Sequence, residues 1–162
     1  MNYEISVPSY KRHDVIQDKT LRVLEEYGID ADRIKVFINA EEADEYENYS
    51  RALSSNPYTK NIEIVKGVPT IGKQRNFIEK FYPEGTRVMS FDDDIDEVQR
   101  KAGEQTLERV DDLEQEVIFR GFNACEESGA RTFGIYAAAN AYFMKHRTYN
   151  KLCYIIASMY GF

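Results

Sequence analysis

Over the first 92 residues, short apolar runs alternate with longer stretches whose apolar positions recur every three or four residues. Ile5-Ser6-Val7 reads as a brief strand ended by Pro8-Ser9. Asp14, with Gln17 three residues on, fits the capping box of a helix. The buried face of that helix is Ile16, Thr20, Val23, Leu24 and Tyr27, and Gly28 ends it. Residues 34–38 are a mostly buried strand, 42–53 an acidic solvated helix and 62–65 a third strand. A helix over 71–81 closes on the turn signal Pro83-Glu84-Gly85. Residues 87–91 form a fourth strand that runs into Asp92-Asp93-Asp94. This alternation predicts an α/β fold, a mainly parallel sheet flanked by helices on both faces. Such sheets bind ligands at the carboxyl ends of their strands. Three polar segments fall there: residues 9–12, 39–41 and 92–96.

The rhythm changes after Asp96. Residues 99–105 are polar and aperiodic and read as a mobile loop. Leu107, Val110, Leu113, Val117, Gly121 and Ala124 then predict one long amphipathic helix closed by Ser128-Gly129. Residues 132–136 and 152–156 read as later strands. No repeat or linker interrupts the chain, so 1–162 is read as one domain divided near residue 98.

Composition narrows the chemistry. The chain has 162 residues, enough for a core without disulfide or metal staples. A net charge of −7 argues against a protein that grips a phosphate backbone over its whole surface, though it leaves room for a local basic cleft. Cys125 and Cys153 match no metal spacing and read as buried free thiols of a reducing compartment. The N-terminus has no basic-then-apolar leader, and no apolar run approaches the ~18 residues of a membrane span. A cytoplasmic protein with no membrane partner is the expectation.

The acidic triplet carries the sharpest signal. Two carboxylates ~4 Å apart repel by about 1 kcal/mol in water and roughly four times that near a protein surface. A hard divalent cation, Mg²⁺ or Mn²⁺, removes that cost by taking one or two carboxylates plus phosphate and water oxygens. Alternation along a strand directs Asp92 and Asp94 into one cleft. The plain alternative is a solvated acidic turn. An EF-hand frame starting at Asp92 fails, because Glu97 and Gly103 occupy the places of its Gly and Glu. A haloacid-dehalogenase-like Asp-x-Asp belongs after a first strand, not a fourth. Residues 67–73 fit the Gly-x4-Gly-Lys frame of a P-loop, but Gln74 replaces the metal-binding hydroxyl and too little chain follows. The helix start carrying Lys73, Arg75 and Asn76 suits a diphosphate instead.

Strand, Pro-Ser-Tyr-Lys-Arg, helix, strand, acidic segment, strand, Gly-Lys-x-Arg-Asn helix and apolar strand into Asp-Asp-Asp resembles the GT-A glycosyltransferases over residues 3 to 98. The resemblance, closest in kind to family-2-like members, implies a Rossmann-like nucleotide-sugar-binding half in 1–98 and an acceptor side in 99–162. It implies that Pro8, Ser9, Tyr10 and Arg12 cradle the nucleotide, and that Lys73, Arg75 and Asn76 meet the base or diphosphate. Asn39 stands where the family often carries Asp against the base. Asp92, Asp93 and Asp94 would form the DxD motif, with Asp92 and Asp94 on Mn²⁺ or Mg²⁺ and Asp94 acting catalytically through that ion. A third, histidine ligand is common in the family. Here His13 reads as a helix-cap neighbour, and His146, in a polar turn, is the other candidate. The catalytic base is unassigned among Asp93, Asp96 and Glu97.

Phe133-Gly134-Ile135-Tyr136 and Asn140-Ala141-Tyr142-Phe143-Met144-Lys145 resemble the phage and TET-associated branch, linked to sugars on hydroxymethylated pyrimidines in DNA. That branch implies a modified-DNA acceptor and, for a phage-encoded protein, the host cytoplasm. The expected activity is metal-dependent transfer of a sugar from a nucleotide-sugar donor, a UDP-sugar, to an acceptor hydroxyl. The alternatives are a nucleotide-sugar-binding module without turnover and a P-loop-like NTPase using residues 67–73. The segment after residue 98 is short for an acceptor site. An incomplete C-terminal part, slow transfer and self-association at an uncovered edge are therefore expected.

Overall fold

A computed structural model describes residues 1–41, 44–135, 140–144, 155 and 158–162. They divide into two compact units, Asn2–Asp96 and Glu97–Phe162, the latter with Met1.

The first unit is α/β. Strands β1 (Glu4–Pro8), β2 (Ile34–Asn39), β3 (Glu63–Gly67) and β4 (Val88–Phe91) lie in the order β3-β2-β1-β4 with every pairing parallel. Ile5 of β1 is in register with Ile34 on one side and Met89 on the other. All of β4 is buried, and so is β1 from Ile5 onward, as expected of parallel strands covered on both faces. Helix α1 covers 13–26 as an α turn His13–Ile16, a π-type stretch Gln17–Leu21 and a second α turn Arg22–Glu26. Helices α2 (Glu45–Ser54) and α3 (Ile71–Phe81) follow β2 and β3. Right-handed crossovers in this order place α1 and α2 on one face and α3 on the other, because the β3-to-β4 connection runs back past β2 and β1. The side chains agree. Phe37 of β2 meets Phe77 and Phe81 of α3 at ring-centroid distances of 6.3 and 5.2 Å. Gln17 Nε2 of α1 donates to the Ala52 carbonyl of α2 at 2.8 Å and to Thr59 Oγ1 at 3.1 Å.

That use of Gln17 corrects the start of α1. The Asp14–Gln17 capping box does not form: the helix begins at His13 after Arg12, with no side-chain cap. Lys11, at φ 53, turns the chain early, and Tyr49 Oη accepts the Arg12 N–H at 3.1 Å. The reversal of winding between β3 and β4 puts the topological switch point outside the carboxyl ends of β1 and β4. There, an open α/β sheet leaves a crevice.

In the second unit, β5 (Gln99–Lys101) and β6 (Leu107–Arg109) form an antiparallel hairpin where a mobile loop and a helix start were expected. Charge pairing replaces apolar alternation as the signal. Arg100 faces Glu108 across the ladder with Nε to Oε1 at 2.7 Å, and also meets Asp111 and Glu116. Buried Val98 and Val110 close the hairpin through Val110 N–H to Val98 O at 3.0 Å. Helix α4 therefore starts later than Leu107. It runs through a π-type stretch Glu114–Phe119 and an α segment Arg120–Ser128. Asp112 accepts the Gln115 N–H at 2.9 Å, and Glu116 accepts those of Asp111 and Asp112. The helix ends at Gly129, φ 69.

Two-residue β7 (Phe133–Gly134) pairs antiparallel with β8 (Met159–Gly161), so of the strand expected over 132–136 the described residues show Phe133–Gly134, and Tyr136 lies outside them. The Phe133 ring fills the space that a Cβ on Gly121 or Gly161 would need, with contacts of 2.2 Å at each. The strand expected over 152–156 falls on residues outside those described, Ile155 excepted, and so do Cys153 and His146. Cys125 is a buried free thiol, and burial raises its pKa. Among the described residues no helix is long and apolar enough to cross a membrane.

Candidate functional site

A cleft of about 540 Å³ opens at the carboxyl ends of the parallel strands, and every connection leaving those ends contributes to it. The β1 exit supplies Pro8, Ser9, Tyr10 and Arg12, and the β2 exit Asn39. The β3 exit supplies Val68, Pro69, Thr70 and Ile71, with Gln74 and Arg75 from α3, and the β4 exit supplies Asp92, Asp93 and Asp94. Lys73 and Asn76 are absent from the lining and lie exposed. Helical periodicity explains the split: Gln74 and Ile78 are turned inward, so positions 73 and 76 face away.

The three carboxylates have different surroundings. Asp93 is 7% exposed and both its oxygens are taken. Ser9 Oγ donates to Oδ2 at 2.5 Å and Arg12 Nη1 to Oδ1 at 3.0 Å. Asp94 has a side chain 52% exposed, and its Oδ2 accepts from the same Arg12 Nη1 at 2.9 Å. Asp92, 31% exposed, meets Arg75 Nη2 at 3.1 Å. Two arginines thus offset the repulsion that the triplet would otherwise carry. The Asp94 hydrogen bond, followed by the charge of Asp93, raises the already high pKa of Arg12.

A buried chain of hydroxyls braces this arrangement. Ser9 gives its single hydroxyl proton to Asp93, so Tyr49, 2.6 Å away, donates to Ser9 Oγ. Tyr49 in turn accepts the Arg12 N–H. The order Arg12 N–H, Tyr49, Ser9, Asp93 is a polarised series in which each bond strengthens the next. Tyr49 is fully buried, and that burial pushes its phenol up to about 12 against the opposing hydrogen bonds of Ser9 and Arg12. Beside it, buried Glu45 accepts the Lys11 N–H at 2.9 Å and holds the left-handed turn.

Thr20 fastens the acidic turn from below. Its side chain is fully buried; Oγ1 donates to the Asp92 carbonyl at 2.6 Å and accepts the Ile95 N–H at 3.0 Å. It belongs to the π-type stretch of α1, a geometry that often marks functional positions. Neither Thr20 nor Tyr49 stands out in the sequence as a site residue. For Thr20 the signal is a hydroxyl set in an apolar helical stripe.

The structure gives Gly67 and Gln74 a role other than a phosphate loop. Gln74 Oε1 accepts the Val68 N–H at 2.7 Å, and Nε2 reaches the Ile38 carbonyl at 3.4 Å. A Cβ on Gly67 would lie 2.2 Å from Gln74 Oε1, so glycine is required there for the clip to close. One amide of the Gly67–Lys73 frame is therefore already used, and Lys73 does not line the cleft. The N-terminus of α3 does open there. Thr70 precedes it at φ 68, ψ 137, strained for a β-branched residue, and gives no side-chain cap.

Among the described residues no group of three or more His, Cys, Asp or Glu side chains is gathered as a metal centre. Asp92 and Asp94 are a different kind of donor set: two hard, partly exposed carboxylates on one cleft wall, each already facing a cationic side chain. They fit a divalent ion that takes its other ligands from phosphate and water. His13 is no part of this wall. Its ring packs edge-on against Tyr49 at 5.9 Å, with Nε2 3.5 Å from Asp14. Asp96 is paired with Lys19 and does not line the cleft, and Glu97 accepts from Gln99 Nε2 at 2.8 Å. No protein-family model matches the chain, and no match to a curated protein is found.

Proposed function

We propose that the cleft binds a nucleoside-diphosphate sugar, in first place a UDP-sugar, with Mn²⁺ or Mg²⁺, and that the protein transfers the sugar to an acceptor hydroxyl. The observation that carries this reading is the convergence of all four strand exits on one cleft at the switch point. The lining joins the Arg12 and Arg75 ion pairs with the aspartates to the apolar surface of Tyr10, Val68, Pro69 and Ile71, which suits a base. Asp92 and Asp94 would hold the cation, whose chemistry is to neutralise the departing diphosphate. Arg75 and the uncapped amides of α3 bind the diphosphate oxygens, with the helix N-terminus favouring negative charge. Asn39, whose Oδ1 accepts the Glu41 N–H at 3.1 Å, is left with its amide N–H groups to offer a base. The resemblance of residues 133–145 to the DNA-modifying branch makes hydroxymethylated pyrimidines in DNA the first acceptor to try.

A thermal-shift screen of UDP-, GDP- and ADP-sugars with and without Mn²⁺ tests the reading. Donor at ~100 times its dissociation constant adds about 2.7 kcal/mol of stability. That gain is expected only with the cation; an equal gain in EDTA contradicts the metal-bridged site. Donor binding with no release of nucleoside diphosphate in the presence of hydroxymethylated DNA would reduce the reading to a nucleotide-sugar-binding module.

A further inference from the structure

We propose that Arg12 is a tethered counter-cation that occupies Asp94 until a diphosphate draws it away, and so couples entry of the divalent ion to binding of the donor. The proposal rests on the donor-site reading above and adds an order of events to it. One nitrogen, Nη1, donates to both Asp93 and Asp94. The two halves of that bridge are unequal. Asp93 is buried and keeps Ser9 on Oδ2 when the guanidinium leaves, so it loses only the bond at Oδ1. Asp94 lies half in solvent and is held by Arg12 through Oδ2.

The main chain of Arg12 is meanwhile pinned by Tyr49, and that of Lys11 by Glu45. The side chain of Arg12 is 49% exposed. The residue is therefore a fixed hinge with a half-exposed charged arm. A divalent ion approaching Asp94 meets a like charge already on the carboxylate. A diphosphate on the same cleft offers the guanidinium anionic oxygens in the paired geometry that arginine prefers. Moving the arm onto the diphosphate opens Asp94 to the ion. Because binding linkage is reciprocal, the factor by which nucleotide tightens the ion equals the factor by which the ion tightens nucleotide.

The test is Mn²⁺ titration followed by electron paramagnetic resonance, without and with UDP, on wild type, Arg12→Gln and Arg12→Lys. Thermal melts establish that each variant is folded. Glutamine keeps a hydrogen-bonding side chain but removes the charge; lysine keeps the charge. Arg12→Gln should bind Mn²⁺ alone about tenfold more tightly than wild type, within the usual span of coupling free energies. Its UDP-dependent enhancement should shrink by a similar factor. Arg12→Lys should stay near wild type for Mn²⁺ alone. Equal Mn²⁺ affinity in wild type and Arg12→Gln without UDP, while UDP still promotes binding in both, overturns the proposal and leaves the donor site standing. Absence of Mn²⁺ binding in wild type even with UDP removes the donor-site reading, and this proposal with it.

Discussion

Replacing Thr20 with Val isolates the fastening beneath the acidic turn. The two side chains are nearly the same shape, so the substitution keeps the packing of a fully buried position and deletes one hydroxyl. That hydroxyl serves two backbone groups, the carbonyl of Asp92 and the N–H of Ile95. Each net hydrogen bond contributes about 0.5–1.5 kcal/mol, and a buried group left unpaired costs about 1–3 kcal/mol. Ile95 is half-buried, so water can replace part of what its N–H loses. A loss of about 2–3 kcal/mol is therefore expected, below the sum of two full penalties. For a chain of this size that is a fall in Tm of roughly 5–10 °C. Urea unfolding at neutral pH measures the loss, with Thr20→Ser as the control that keeps the hydroxyl. Thr20→Val should also weaken Mn²⁺-dependent nucleotide binding, because the turn carrying Asp92 and Asp94 loses its support. A stability within about 0.5 kcal/mol of wild type together with unchanged nucleotide affinity would refute the role given to Thr20.

Two further outcomes follow from the same geometry. Tyr49→Phe should cost about 1–2 kcal/mol by breaking the hydroxyl chain, and its pH dependence is diagnostic. Burial holds the folded phenol up at about 12 against ~10 unfolded, so its contribution is complete below pH ~10 and is lost as pH rises toward 12. The variant should lose less stability across that window, while Tyr58 and Tyr82, both also raised by burial, continue to titrate late. Gly67→Ala should destabilise by about 1–3 kcal/mol, since the new methyl would sit on Gln74 Oε1. Combining it with Gln74→Ala should recover part of that loss in the same urea assay, and strictly additive losses would argue against the clip.

The parallel strands were legible because both faces of the sheet are covered. Burial on both sides turns residues 5–8, 34–39 and 88–91 into nearly continuous apolar runs. Strand order then follows from handed connections, and with it the end of the sheet where polar segments meet. The acidic triplet was legible as charge, but not the separate roles of its members. Asp93 is set apart by Ser9 and Arg12, more than 80 residues earlier in the chain. Tyr49 belongs to a helix read from its acidic residues as solvated, yet one face of that helix is fully buried. The hairpin over 99–109 was missed because Gln-Arg-Lys and Leu-Glu-Arg show no alternation, and cross-strand charge pairing leaves no periodic trace. The helix cap at Asp112 was readable in principle. The three-residue spacing from Leu107 to Val110 to Leu113 masked it.

Whether the cleft holds a sugar nucleotide through a cation on the aspartate pair is read from calorimetric titration of UDP-sugar into wild type and Asp94→Asn. Each titration is run in Mn²⁺ and again in EDTA. Asp94 is half-exposed and its amide can still accept from Arg12, so the variant should remain folded, with a melting temperature equal to or slightly above that of wild type. Wild type should bind saturably in Mn²⁺ only, and Asp94→Asn in neither buffer. Binding by folded Asp94→Asn with wild-type affinity in Mn²⁺, or by wild type equally well in EDTA, would contradict the metal-bridged site.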